Sequence, residues 1–237
     1  MLLDMELEFS GFKHSDEYIG THNTTDSEIG RGTFSDVYST EILIADEKKK
    51  AAVKTLRQPL EGNEESYIQL AEVHNLRRFC HTNIVELYGI SYKCDKEGTK
   101  YLQIFHGIKD GKVKIADMGV AKEVSYILGT LTGTPSTIAP EVYHGKLYGT
   151  EADIYSLGII MWEMWYCDAA YSTKEYNFLN MNEFADCIKE GKRPTFNTGF
   201  APPSDLKKMI ETCWSSNTTV RPSAENVFVE LSSWMRI

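Results

Sequence analysis

Cysteine is scarce in this sequence and arranged without pairs. The five thiols, Cys80, Cys94, Cys167, Cys187 and Cys213, are odd in number, widely spaced and without a CxxC. That pattern excludes a small disulfide framework and a CxxC zinc site, and fits free thiols in a reducing compartment. Positive charge is also short: 25 Lys and Arg stand against 34 Asp and Glu, for a net charge of −9. No broad basic field is available to meet phosphates, so nucleic acid is not an expected partner. The one basic run, Lys48-Lys49-Lys50, lies between two β-rich runs and is expected to be a solvated hairpin tip. Long apolar runs are missing too. The longest, Ile159 to Tyr166, is interrupted by Glu163 and is far too short to span a bilayer, so no membrane is expected as partner. The opening MLLDMELEFS is acidic and poor in apolar residues, unlike a secretory signal. Without such a signal the acceptor patterns at Asn23-Thr24-Thr25 and Asn217-Thr218-Thr219 meet no glycosylating enzyme, and a cytoplasmic location is expected. There is no internal repeat and no low-complexity tract.

What is present is an ordinary globular composition, 42% apolar and 25% charged over 237 residues, enough for one substantial core or two small ones. Residues 1–24 are polar and without sustained periodicity, and are expected to be a flexible lead-in. Short β-like runs follow at Phe34–Tyr38, Glu41–Ala45 and Ala51–Leu56. A helix is predicted next, with Ile68, Ala71, Leu76 and Phe79 on one stripe and Glu72 as its only charge. Strands are predicted again at Ile84–Tyr92 and Lys100–Phe105, around a turn at Asp95–Gly98, and a short one at Lys112–Ala116 after an Asp110-Gly111 turn. Val120–Thr137 reads as loop. Helices are predicted at Ala152–Tyr166, Asn182–Lys189, Ser204–Cys213 and Ala224–Met235.

The chemistry-bearing residues come in a fixed order. Ile29-Gly30-Arg31-Gly32-Thr33-Phe34-Ser35-Asp36-Val37 follows a GxGxxSxV pattern, in which glycines let backbone amides approach phosphates with no Cβ in the way. Alone, two glycines in a hairpin are more often a tight turn. Ala51-Ala52-Val53-Lys54 sets a lysine on an apolar strand, where an ammonium needs a partner, and Glu72 on the inward face of the following helix offers one. Ala116-Asp117-Met118-Gly119 follows a strand-like run. Gly133-Thr134-Pro135-Ser136-Thr137-Ile138-Ala139-Pro140-Glu141, Asp153-Ile154-Tyr155-Ser156-Leu157-Gly158 and Arg221-Pro222-Ser223 complete the series.

Seven motifs in this order resemble the eukaryotic protein kinase domain, serine/threonine type, and Cys213-Trp214 before Arg221-Pro222 is similar to the tyrosine-kinase-like group. The resemblance implies an α+β fold of two lobes: a small β-rich N-lobe over 25–105 and a mainly helical C-lobe over 112–237. It implies ATP and Mg²⁺ as cofactors, with Ile29, Gly30, Arg31, Gly32, Val37, Ala52 and Lys54 around the nucleotide. Catalytic roles fall to Lys54 and its partner Glu72, which grip the α- and β-phosphates, and to Asp117, the Mg²⁺ ligand. Met118 stands where the family's DFG has Phe, and Thr137 where GTxxYxAPE has Tyr. Structural roles fall to Glu141, paired with Arg221, and to Asp153. Ser125, Tyr126, Thr130 and Thr132 become candidate phosphorylation sites.

One stretch of the pattern is absent. Phe105 is followed by only six residues, His106 to Gly111, before Lys112. There the family carries a hinge, two helices and the loop HRDxxxxN, so on the order of 50 residues are missing. With them go the Asp that accepts the substrate proton and the Asn for a second Mg²⁺. His106 and Asp110 have a superficial HxD look, but Asp110-Gly111 reads better as a turn. Asp153, on a stripe with Leu157, Ile160 and Met164, is expected to point inward without the loop amides it would hold, next to an apolar face left uncovered. The expected product is a kinase-domain protein truncated in the middle, without transfer activity and with weak nucleotide binding. The other reading is a pseudokinase scaffold whose protein partner the sequence does not name.

Overall fold

The computed structural model describes residues 27–32, 34–44, 47–59, 64–108, 111–121, 134–172 and 180–234. The expected lead-in, 1–24, and the candidate sites Ser125, Tyr126, Thr130 and Thr132 lie outside the described residues, as do Thr33, Asp110 and Gly133. The chain forms two compact units, Met1–Ala121 and Lys122–Ile237. Residues 112–121, which the sequence reading groups with the second half, therefore pack with the first.

The first unit is a five-stranded antiparallel sheet in the order β1-β2-β3-β5-β4 with one helix. Its strands are β1 (Ser27–Arg31), β2 (Ser35–Ile44), β3 (Glu47–Leu56), β4 (Glu86–Cys94) and β5 (Lys100–Gly107), and its helix is α1 (Glu64–Arg78). β2 and β3 form one uninterrupted hairpin, from Ser35↔Leu56 to Ile44↔Glu47. Two expectations are corrected here. Phe34–Tyr38 and Glu41–Ala45 are not separate runs, because Ser39 and Thr40 pair with Ala52 and Ala51 of β3 and Thr40 buries its β-branched side chain. Lys48, Lys49 and Lys50 are not the hairpin tip. They pair within β3 with Leu43, Ile42 and Glu41, and the ammonium of Lys49 stands 5.8 Å from the ring centre of Tyr88.

Alternation along β3 divides the apolar side chains between the two faces of the sheet. Ala51 and Val53 pack with Ile42 and Phe105, while Leu56 packs with Leu102 and Ile104 against Leu70 and Val73 of α1. β5 lies between β3 and β4, and its run from Leu102 to His106 is buried throughout, as an interior strand requires. The α1 stripe is also corrected. Among the described side chains of α1, Gln69, Leu70, Glu72, Val73 and Leu76 are buried, while Phe79 falls past the helix end and is 46% exposed. Two sides of α1 are covered, so a single stripe undercounts its contacts. Arg77 and Arg78 in the last turn complement the helix dipole.

Lys112–Ala116 is not a strand of a hairpin. It makes one parallel bridge, Ile115↔Ile84, through Val85 N–H to Ile115 O (2.9 Å) and Ile115 N–H to Asn83 O (2.7 Å). Asn83 Nδ2 also donates to Val113 O at 3.1 Å and Lys114 Nζ to Ile84 O at 3.0 Å, while Val113 is 88% exposed.

The second unit is helical: α2 (Pro140–Tyr143), α3 (Glu151–Tyr166), α4 (Met181–Lys189), α5 (Ser204–Cys213) and α6 (Ala224–Trp234). Tyr155, Ile159 and Trp162 of α3 form its core with Ala139, Phe184, Ile188, Ile210 and Trp214. This buried stripe decides the fate of Asp153. One position beyond Ala152, it is turned about 100° away and is exposed, as are Ile160 and Met164. The expectation that Asp153 points inward is overturned: periodicity defines a stripe without saying which stripe meets the core. Partial desolvation and the charge of Glu151 still push its carboxyl above the ordinary range.

At Gly158 α3 and α5 approach closely. A Cβ there would lie 2.9 Å from Cys213 Cβ and 3.0 Å from the backbone N of Trp214. Alanine gains about 1 kcal/mol of helix propensity, but the contact with backbone cannot yield cheaply. Gly158→Ala is expected to destabilise the second unit by about 1–3 kcal/mol, read from the urea midpoint of tryptophan fluorescence. An unchanged or raised midpoint would show that the helices can separate at no cost.

Candidate functional site

Lys54 is brought to the centre of the first unit by the register of β3. Its Nζ donates to Glu72 Oε2 at 2.6 Å and to Asp117 Oδ1 at 3.1 Å. The three side chains are 14%, 1% and 77% exposed, so the pair with Glu72 is buried while Asp117 opens to solvent. Burial works against both charges of the pair. At Lys54 it is outweighed by Glu72 and Asp117, and the ammonium holds its proton more tightly than a free lysine. At Glu72 burial wins over the attraction of Lys54, and the carboxyl is pushed above its ordinary range. The two directions pull oppositely on one contact. A separation of 2.6 Å is that of a charge-assisted bond, and at neutral pH we take the pair as ionised.

The second oxygen of Glu72 has a different neighbour. Glu72 Oε1 and His106 Nε2 face each other at 3.9 Å, too far for a hydrogen bond, and neither has a hydrogen-bond partner among the described residues. His106 belongs to β5, opposite Ala52. Burial, and then the charge of Lys54, lower its pKa to about 4, so the imidazole is neutral. Sequence reasoning placed His106 at the start of the shortened connection. No local signal places it beside Glu72, because that follows from the β3–β5 register.

Asp117 occupies the left-handed region, φ 61° and ψ 57°, at the head of a 3₁₀ turn over Met118–Val120. Two features press this turn onto α1. A Cβ on Gly119 would sit 2.7 Å from Ile68 O, so only glycine allows the approach. Asn75 Nδ2 donates to Met118 O at 2.8 Å and to Ala121 O at 3.1 Å. Asn75 was missed in the sequence, where it is one polar residue on a mixed helix.

The glycine pattern forms the β1–β2 turn, closed by Gly32 N–H to Ser35 O at 2.8 Å. Neither Gly30 nor Gly32 has a positive φ, and an added Cβ would meet nothing closer than 3.8 Å and 3.5 Å respectively. Among the described residues nothing in the fold demands glycine at either position. Val37 and Ala52 share the sheet face of Lys54, through the pairs Val37↔Lys54 and Ser39↔Ala52. Ile29 sits at the register shift of β1 between Glu28 and Gly30 and is 53% exposed. Arg31 binds Glu28 at 2.9 Å and lies 3.5 Å from Asp36, which also receives Arg57.

In the second unit Arg221 and Glu141 form a bidentate, buried pair at 2.6 Å and 2.9 Å. Arg221 also donates to Ser215 O and Glu151 O, and its guanidinium lies 5.1 Å from the ring centre of Tyr155.

The nucleotide and Mg²⁺ that the resemblance implies can be tested against these residues. Among the described residues no three His, Cys, Asp or Glu side chains gather to hold a metal alone. Mg²⁺ is usually held by one or two carboxylates together with phosphates and water. A 77% exposed Asp117 beside Lys54 fits that mode. Among the described residues no helix is long and apolar enough to cross a membrane, and the five thiols are free.

Comparison with known proteins agrees with the geometry. A family model described as "Protein tyrosine and serine/threonine kinase" matches residues 24–106, and one described as "Protein kinase domain" matches residues 100–231. A serine/threonine-protein kinase/receptor of Acanthamoeba polyphaga mimivirus, R818, is 35% identical over 125 residues, 52% of this chain and 7% of its own length. In Dictyostelium discoideum, ankyrin repeat-containing protein kinase A is 34% identical over 136 residues, 52% of this chain and 9% of its length. The dual specificity protein kinase shkD of the same organism is 34% identical over 125 residues, 51% of this chain and 16% of its length. The chain thus spans well under a fifth of the length of these relatives. The sheet-and-helix first unit and the helical second unit are those of the two-lobed kinase fold, and with more than half its residues matched the chain belongs to the protein kinase domain family.

Proposed function

We propose that this chain holds Mg·ATP weakly in its first unit and does not transfer the phosphate. The observation that carries this is the Lys54–Glu72–Asp117 constellation, at 2.6 Å and 3.1 Å, in a sequence with no HRDxxxxN before Asp117. Lys54 holds α- and β-phosphate oxygens, and Glu72 keeps its ammonium oriented from below. Asp117 ligates Mg²⁺, which when bound offsets the charge of the phosphates. The glycine turn lets backbone amides close over them, with Ile29, Val37 and Ala52 against the base. Among the described residues His106 is unsuited to take up a hydroxyl proton, being 7% exposed and facing Glu72. The parent would be a cytoplasmic Ser/Thr kinase of the tyrosine-kinase-like group, shortened between Phe105 and Lys112. The matches to the two kinase models, which overlap only at residues 100–106, support a break in the pattern there.

A thermal-shift titration and a γ-phosphate transfer assay test this together. Millimolar Mg·ATP is expected to raise the melting temperature slightly, with no transfer to a generic protein substrate. Lys54→Met, which keeps the apolar stem, is expected to abolish the shift. Transfer that depends on Lys54 would sink the inactive reading, and micromolar affinity would show the missing segment to be dispensable for binding.

A second reading, a scaffold acting through a protein partner, draws on the face of α3 where Ile160 is 41% and Met164 72% exposed. It requires binding that is indifferent to Lys54→Met.

A further inference from the structure

The turn after Asp117 has little of its own to hold it. It is three residues of 3₁₀ helix closed by one backbone bond, Ala121 N–H to Met118 O at 3.2 Å, and 3₁₀ geometry is poor. Its leading residue is a non-glycine in the left-handed region, which crowds its Cβ. Something outside the turn must fix it. Asn75 lies three residues after Glu72 on α1, hence on nearly the same side of the helix. Its amide nitrogen carries two N–H groups, and the two short contacts, to Met118 O and Ala121 O, use both. One side chain therefore grips the first and last carbonyls of the segment that follows Asp117. The same helix contributes Ile68, against which Gly119 leaves no space for a Cβ. The turn is held at both ends by Asn75 and seated at its middle by Gly119.

We propose that Asn75 is a positioning residue for the metal arm of the site: by fixing the turn it holds the Asp117 carboxylate where a divalent cation bound to a nucleotide's phosphates requires it. The helix that presents Glu72 to Lys54 thereby also sets Asp117, so both arms of the constellation are referenced to α1 within one compact unit. The metal part of this proposal rests on the reading of the site as a nucleotide site. The clamp on the turn does not.

The test uses the full chain with ADP, titrated calorimetrically with and without Mg²⁺, in the parent, Asn75→Leu and Asn75→Gln. Leucine removes both donors and keeps a helix-favouring side chain. The parent is expected to bind Mg·ADP more tightly than metal-free ADP. In Asn75→Leu this metal-dependent gain is expected to fall about five- to tenfold, with metal-free ADP affinity within about twofold of the parent. Asn75→Gln, which retains the amide, is expected to keep most of the gain. An equal fall with and without Mg²⁺, or an unchanged gain, overturns the positioning role. Hydrogen exchange of the Ala121 amide gives a ligand-free reading: Asn75→Leu should speed it about tenfold or more while α1 amides remain protected. If the parent binds no nucleotide, the functional reading fails and with it the metal role. The exchange rate then decides the clamp by itself, and an unchanged Ala121 rate refutes it.

Discussion

Replacing Arg221 by alanine is expected to lower the unfolding free energy of the second unit by about 3–5 kcal/mol. The guanidinium is removed from a carboxylate that is itself 8% exposed, so Glu141 would be left buried and unpaired. Two carbonyls, Ser215 O and Glu151 O, lose a donor in the same change, and Tyr155 loses one of the two cations over its ring. The large effect is a penalty for the abandoned partner rather than the net worth of the pair, and this distinction is measurable. Arg221→Met combined with Glu141→Leu fills the space without burying a charge, and is expected to cost far less than the sum of the single changes. All four tryptophans, Trp162, Trp165, Trp214 and Trp234, follow Lys122, so their fluorescence reports this unit alone. A loss below about 1 kcal/mol for Arg221→Ala would mean that water reaches Glu141.

The first unit is expected to lose stability in mild acid through His106. Unfolded, this histidine titrates near 6.5; folded, burial and then Lys54 hold it down at about 4. Between those values the unfolded chain binds a proton that the folded chain refuses, so stability is complete above pH 6.5 and falls as the pH drops towards 4. From pH 7 to pH 5 the loss is about 2 kcal/mol. The groups facing His106 are Glu72, Lys54 and Asp117. Lys54 stays charged throughout. Glu72 acts in the opposite sense, since its raised pKa lets the folded state take a proton first and returns some stability at the lower end of the window. His106→Leu removes the histidine contribution and leaves the rest. Urea titrations at pH 7 and pH 5, followed on amide resonances of β3 and β5, are expected to show the steeper pH loss in the parent. Equal losses in parent and variant would refute the assignment.

Particular residues show how far the sequence could be read. The four longer helices of the second unit were legible to within a residue or so, because helical spacing repeats over several turns: Ala152–Tyr166 was predicted and Glu151–Tyr166 is found, whereas the single-turn α2, too short to show a period, was not predicted. Lys54 and Glu72 could be named as partners because an apolar strand cannot carry an ammonium unmatched. Ser39-Thr40 and Lys48–Lys50 were misread because a local window cannot see that the paired strand continues opposite them. Asp153 was misread because periodicity fixes relative, not absolute, facing.

What the sequence by itself determined is the family, through residue types whose order and spacing are covalent facts, and that no HRDxxxxN pattern stands between Phe105 and Lys112. What only the tertiary structure decided is how the surviving groups are held. His106 faces Glu72 through the register of β5 on β3, and Asn75 grips the turn after Asp117 across a gap of 43 residues along the chain. Such contacts depend on angstrom-scale packing between distant segments. Local propensity carries no record of that distance.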